Sequence, residues 1–270
     1  MLLKTIYRKV LPARLRQEIR RRIVNDGDFS VTYELSKGWP QAQRSSWVSE
    51  SVTARFKGGL ETFDFKLAQQ SPEAALASPV VRDNLSLLHR TGLAEAALLD
   101  YGCGNGLYRL ILGYDRATAA WQYVGVDINS EVIEWCRTTH GGTRFELITE
   151  GEALPFREGE FDVVLASGVV QCIPDYADTV SELRRVSRDY LLISRLPIWK
   201  HNPTRIVRQN VFHPWGRESH FIHVFNRDEV ERFFKGSGFS IAERDYGSET
   251  FHVPGVPEPV IHNHYLLKRI

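Results

Sequence analysis

Three glycines at alternate positions, Gly102, Gly104 and Gly106, follow an acid, Asp100, that closes the short apolar run Ala96 to Leu99. The run, the glycines and the apolar stretch from Leu107 to Leu112 read as strand, tight turn and helix. A turn of this kind brings backbone N–H groups against a ligand, because a Cβ would block the approach or forbid the dihedrals. A second acid, Asp127, closes the next apolar run, Trp121 to Val126. A carboxylate at that strand tip can accept hydrogen bonds from both hydroxyls of a ribose. Downstream stand groups of other chemistry: Glu150 and its rival Glu152, Gln171 in a loop, and the imidazoles of His201 and His223. Arg195, Arg205, Arg208 and Arg217 add guanidiniums, which bind carboxylate and phosphate bidentately.

The spacing decides which ligand suits the glycine turn. A dinucleotide fingerprint needs a small residue three places after its second glycine, and Leu107 stands there. Asp100 would repel a pyrophosphate but suits a cationic ligand. The pattern Asp-x-Gly-x-Gly-x-Gly resembles the glycine loop of class I S-adenosylmethionine-dependent methyltransferases, whose cofactor carries an ammonium and a sulfonium and no phosphate. The resemblance runs from Leu98 to Ile270, strongest at the glycine loop with Asp127 and at Leu154-Pro155-Phe156. It implies S-adenosylmethionine as cofactor, held by Asp100, Gly102, Gly104, Gly106, Asp127, Ile128, Glu150, Gly151 and Ser167. In the family an acid five residues before the proline of Leu-Pro-Phe reads the adenine amino group, which points to Glu150. Members usually carry Gly-Asp-Ala there. This chain has Thr149-Glu150-Gly151, so Glu152 competes for the role.

The fold that the resemblance implies is α/β: a doubly wound, Rossmann-like, seven-stranded and mostly parallel sheet. Phe239 to Arg244 and His264 to Lys268 form its closing antiparallel hairpin, and a helical lead-in precedes it. The expected organisation is a basic amphipathic helix over 1–24, a helical lead-in or cap over 25–95, and the methyltransferase domain over 96–270 with a substrate-side insertion at 195–226. A second, weaker resemblance rests on Ser194-Arg195-Leu196-Pro197, Arg208-Gln209-Asn210 and Phe225-Asn226-Arg227. It is to a methyltransferase group often encoded beside surface-polysaccharide genes.

Methyl transfer is an in-line displacement in which the enzyme mainly aligns the nucleophile and excludes water. A sugar hydroxyl also needs a general base, most often His. His201, His213, His220 and His223 lie in the insertion, and His201 and His223 are the first candidates for the base. Gln171, where many members carry His, is a candidate substrate residue together with Arg195, Arg208 and Gln209. No metal is expected, since His252, His262 and His264 have neither cysteine pairs nor nearby acids to complete a site. Nucleic-acid methylation is disfavoured, because Ser167-Gly168-Val169-Val170 stands where amino-methylating enzymes carry Asn/Asp-Pro-Pro-aromatic. A non-catalytic scaffold that binds the nucleoside cofactor is the alternative.

The chain has 270 residues, 43% of them hydrophobic and 25% charged, and a formal net charge of +1. This is ordinary for a soluble globular protein, and the balance exerts no global pull toward nucleic acid or membrane. Cys103, Cys136 and Cys172 are widely spaced and read as reduced thiols of a cytoplasmic protein. No apolar run approaches the roughly 20 residues that span a bilayer. Residues 1–24 set Lys4, Arg8, Lys9, Arg14, Arg16, Arg20, Arg21 and Arg22 against Glu18, with apolar residues at roughly helical spacing. That pattern suits a peripheral helix on an anionic inner-membrane surface, or equally a packed helix with a solvated basic face. The expected partner is a small-molecule or glycan acceptor.

Overall fold

The computed structural model describes residues 30–39, 63–213 and 216–270. The basic stretch 1–24 and most of the lead-in, with Pro40, Trp47 and Ser49, lie outside the described residues.

The centre is a parallel sheet of five strands, β2 (Ala97–Tyr101), β3 (Gln122–Asp127), β4 (Arg144–Leu147), β5 (Phe161–Ser167) and β6 (Ser187–Trp199), in the order β4-β3-β2-β5-β6. Next to β6 runs β10 (Val260–Arg269), antiparallel, and β9 (Phe239–Phe251) closes that side antiparallel to β10. These seven strands are the expected sheet. Their central members are continuous apolar runs because both faces are covered. On one face lie α1 (Phe63–Gln70), α2 (Pro72–Leu76), α3 (Pro79–His89), α4 (Leu107–Tyr114) and α5 (Ser130–Thr139), whose Leu87, Leu88, Ile111, Val132 and Ile133 pack with Leu98, Val163 and Leu165. On the other lie α6 (Tyr176–Val186) and α7 (Arg227–Gly236), where Val180, Leu183, Val230 and Phe234 meet Leu99, Val164 and Ile193. Capping starts two of these helices as their sequences require. The Asn129 side chain accepts from the N–H groups of Glu131 and Val132, and the Asn226 side chain from that of Glu229.

The full sheet has ten strands rather than seven. The stretch 195–226, expected as an excursion after the fifth strand, is strand almost throughout. β6 continues to Trp199, and β7 (Arg205–His213) and β8 (Gly216–Asn226) form an antiparallel hairpin. β8 joins the main sheet only at Ile198–Phe225 and Trp199–Asn226. The lead-in supplies the third strand of this small sheet, β1 (Ser30–Leu35), paired antiparallel with β7, and so is not wholly helical. Ser-Val-Thr-Tyr-Glu-Leu alternates small or polar with larger residues and is rich in β-branched and aromatic side chains, which favours a strand. A third apolar cluster, with Cys172, Trp199, Val207, Ile222, Val224, Val253 and Val260, binds this sheet to the β9–β10 connection. The three-stranded sheet thereby springs from the carboxyl end of β6, the edge where open α/β sheets bind ligands.

Candidate active site

The glycine turn has the conformation its residues allow. Gly102, Gly104 and Gly106 have φ of 72°, 52° and 70°, a region costly for any residue with a Cβ. The N–H groups of Gly102 and Cys103 both donate to the carbonyl of Val126 on β3, which locks the turn to the neighbouring strand. The glycines serve different ends. A Cβ on Gly102 would stand 2.9 Å from Val169, and one on Gly106 2.7 Å from the His140 ring, so these two are needed for packing. A Cβ on Gly104 would meet no atom within 4 Å, so at Gly104 the turn borders open space. Below the turn, the Cys136 thiol donates to the Gly104 carbonyl at 3.1 Å, and His140 Nε2 lies 3.0 Å from the Asn105 carbonyl.

Asp127 sits where β3 ends. One carboxylate oxygen accepts from the Gly104 N–H and the other from the Asn129 N–H, each at 3.0 Å. The Ile128 N–H also hydrogen-bonds the carboxylate, and the acceptor capacity that remains can take a ribose hydroxyl. Burial raises the Asp127 pKa, against the lowering effect of these backbone hydrogen bonds. Asp100 is more deeply placed than a direct ligand to an exposed ammonium: it is 1% exposed and accepts from the Tyr123 hydroxyl at 2.7 Å. Burial pushes its pKa to about 7, with the Asp127 charge a smaller contribution in the same direction. A cation arriving at the turn would favour the ionised form. Glu150 faces the same region. The Tyr101 hydroxyl, pushed up to about 12 first by burial, is raised further by Glu150 and by Asp127. Glu152 is exposed. Ile128 packs at the rim of the α6–α7 side core, and Gly151 makes a turn with φ of 77°.

The loop after β5 sits at the same edge. Gln171 is buried, and its side-chain oxygen has no hydrogen-bond partner among the described residues. Ser167 accepts from Ser194 Oγ at 2.8 Å and from Asn84 Nδ2 at 3.3 Å. Residues 99–190 match the family model described as a methyltransferase domain.

Residues 99–190 carry a methyltransferase domain.

Among curated proteins, this chain is 31% identical over 122 residues to phthiotriol/phenolphthiotriol dimycocerosates methyltransferase 1 of Mycobacterium ulcerans, covering 43% of this chain and 44% of that one. It spans less than half of that relative. It is 28% identical over 191 residues to a malonyl-[acyl-carrier protein] O-methyltransferase of Geobacter sulfurreducens, covering 68% of this chain and 70% of that one. Among solved structures it resembles magnesium protoporphyrin IX methyltransferase from Synechocystis PCC 6803 with bound S-adenosylmethionine. That likeness has a TM-score of 0.52 at 14% identity over 87% of this chain and all of that one, and it shows the fold.

That Synechocystis structure holds S-adenosylmethionine. The open face of Gly104 and the remaining acceptor capacity of Asp127 fit a nucleoside of that kind. When bound, it supplies an electrophilic methyl on a sulfonium.

The substrate-side residues divide. His223, on β8, is buried among rings: Trp39 stacks on it at 5.1 Å between centroids, Phe225 at 5.6 Å, and Tyr176 meets it edge-on at 5.1 Å. Its Nε2 has no hydrogen-bond partner among the described residues. Burial lowers its pKa, against smaller raising effects from the Pro174 and Ile173 backbone and from Asp175, so the ring belongs beside the loop that follows β5. His201 is different. It is exposed on the turn between β6 and β7, with its N–H held by the Glu258 carboxylate at 3.0 Å. Arg208 and Gln209 do not share a face. Arg208 lies opposite Phe221, ion-pairs with Glu34 at 3.4 Å and stacks over the Phe221 ring. Gln209 lies opposite His220 and reaches the Tyr33 hydroxyl at 3.3 Å. Neighbours on a strand point to opposite sides, so one ligand is not held by both from one face.

Sequence reasoning missed the polar groups that join these parts. Asn84 on α3 donates to the Tyr108 hydroxyl on α4 and accepts from His264 Nδ1 on β10 at 3.1 Å. Tyr123 and His140 likewise gave no spacing signal. Nothing local marked Asp100 as the acceptor for the Tyr123 hydroxyl.

Proposed function

We propose that this methyltransferase moves a methyl group from S-adenosylmethionine to a hydroxyl of a small molecule or of a sugar or surface-glycan precursor, with His223 as general base. The observation that carries this is the His223 ring: buried on a strand at the ligand edge, neutral because burial lowers its pKa, and with Nε2 unpartnered among the described residues. A neutral imidazole with a free lone pair can take the hydroxyl proton as the oxygen attacks the sulfonium methyl. S-adenosylmethionine bound against Gly104 and Asp127 would supply the methyl group, and His223 Nε2 would hold the proton of the acceptor hydroxyl. The relatives' names support oxygen and varied acceptors, since one is a malonyl-carrier O-methyltransferase and another acts on phthiotriol or phenolphthiotriol dimycocerosates. His201, exposed on its turn, shapes the rim in this reading. Residues 1–24 bring the enzyme to an anionic cytoplasmic membrane surface where such precursors are built.

The test is mass spectrometry of glycans and metabolites from cells with and without the gene, followed by turnover of His223→Ala on the acceptor so found. Turnover should fall by about 10²–10⁴ with cofactor affinity unchanged. Wild-type turnover in His223→Ala would place the base elsewhere. Cofactor binding with no methylated product from any acceptor would instead favour a scaffold.

A further inference from the structure

Residues 149–153, which carry both candidates for the adenine contact, Glu150 and Glu152, run between two anchors. At the near end, the Ile148 N–H donates to the Asp127 carbonyl at 3.0 Å. At the far end, an ion pair on α6, Glu182 with Arg185, grips the backbone of Leu154 and Phe156. Glu182 accepts from the Leu154 N–H at 2.7 Å. Arg185 donates to the Phe156 carbonyl at 2.8 Å and to the Leu154 carbonyl at 3.1 Å. The same guanidinium donates to both Glu182 oxygens, at 2.8 and 2.6 Å. The two residues stand three apart on one face of the helix, so the pair is fixed by α6 itself.

Holding this segment on the helix does not need the ion pair. The Leu154 and Phe156 side chains are buried in the apolar cluster that contains Val180 and Leu183 of α6. Apolar burial is non-directional, however, and leaves the path of the backbone open. A planar guanidinium and a carboxylate, bonded to one N–H and two carbonyls, set that path. The residues so aimed are exposed at Thr149 and from Gly151 to Ala153, and half-buried at Glu150. A loop fixed in advance loses less entropy when it closes on a ligand. Arg184, beside the pair on α6, reaches elsewhere: it donates to the Gly238 and Ile270 carbonyls, each at 3.4 Å.

We propose that Glu182 and Arg185 are positioning residues for recognition of the adenine base. By fixing the Leu154 and Phe156 backbone, they hold residues 149–153 so that a carboxylate of that loop accepts from the adenine amino group. Their part is played through the loop and not by touching the nucleoside. This rests on the reading of an enzyme that uses S-adenosylmethionine, and it adds what sets selectivity for the base.

The test is calorimetry of the full chain with S-adenosylhomocysteine and with S-inosylhomocysteine. The second compound replaces the exocyclic amino group of the purine, a donor, by an oxo group, an acceptor. Wild type should prefer the adenine compound by at least about tenfold, as a hydrogen bond to a charged group predicts. Arg185→Ala and Glu182→Ala should each bring that ratio below about threefold. Glu182→Gln should keep most of it, because its amide oxygen still accepts from the Leu154 N–H. The ratio decides, since a variant that merely populates the unfolded chain weakens both ligands alike. Arg184→Ala, which also removes bonds from α6 to carbonyls, should keep the wild-type ratio. Where Arg185→Ala gives no cooperative melt, Arg185→Lys takes its place: one ammonium cannot span both carbonyls, and the ratio should again fall. An unchanged ratio at either position, or an equal fall in Arg184→Ala, overturns the proposal. Equal binding of the two compounds by wild type overturns it too, with the underlying reading intact. Failure of wild type to bind either compound overturns that reading as well.

Discussion

Asp100 links stability, pH and cofactor binding. Its pKa is raised from 3.8 to about 7 in the folded chain, chiefly by burial. Because the folded state holds the proton more tightly than the unfolded state, stability falls as pH rises from about 4, by about 1.4 kcal/mol per pH unit, and levels off above about 7. The accumulated loss is about 4 kcal/mol for the ligand-free protein. Asp100→Asn keeps an oxygen to accept from Tyr123 and removes the titration. Urea unfolding of wild type and Asp100→Asn from pH 4 to 8, without cofactor, should show the mutant gaining on wild type by about 4 kcal/mol across that range. Any fixed cost of burying the extra amide hydrogens, about 1–3 kcal/mol, shifts the mutant curve without changing this slope difference. Cofactor binding should show the converse. The ammonium favours the carboxylate, so wild type should release a proton on binding S-adenosylmethionine and bind tighter as pH rises toward 7, and Asp100→Asn should do neither. Parallel stability curves for the two proteins would refute the burial-driven shift.

Asp127→Ala should weaken S-adenosylmethionine in calorimetry by about 1.5–3 kcal/mol per charge-assisted bond lost, and unchanged affinity would count against the ribose role. Gly104→Ala should fold with a strain penalty of about 1–2 kcal/mol yet lose cofactor, whereas Gly102→Ala should cost more stability because its Cβ meets Val169 at 2.9 Å; thermal melts and cofactor titration separate the two. Glu150→Gln should impair cofactor binding less than Glu150→Ala, since the amide oxygen still accepts, and loss at Glu152→Ala instead would reassign the adenine contact. The acid limb of the turnover profile should fall below the ordinary histidine range of about 6.5, because burial lowers the His223 pKa and only the neutral ring can act as base. Deleting residues 1–24 should leave the domain binding cofactor but reduce its association with anionic vesicles at low salt.

Much of the glycine turn and the strands around it was legible in the chain itself, because the local sequence shapes them. Glycines that must adopt positive φ, an acid closing each of two adjacent strands, and an Asn ahead of a helix all act within a few residues of their own position. The parallel order of β2 to β6 follows the same strand–helix alternation. The rest was not legible, because its contacts join distant segments. Asn84 and His264 touch across 180 positions, and Tyr33 on β1 reaches Gln209 on β7 across 176. No periodicity in 195–226 announced that β1 would come from the lead-in to complete a sheet. Pairing also set what composition left open. Strand parity sends Arg208 and Gln209 to opposite faces, and a bulge opposite His264 forces Arg195 into the left-handed region. Burial, which exists only once the chain has packed, pushed the Asp100 pKa up to about 7 and lowered that of His223.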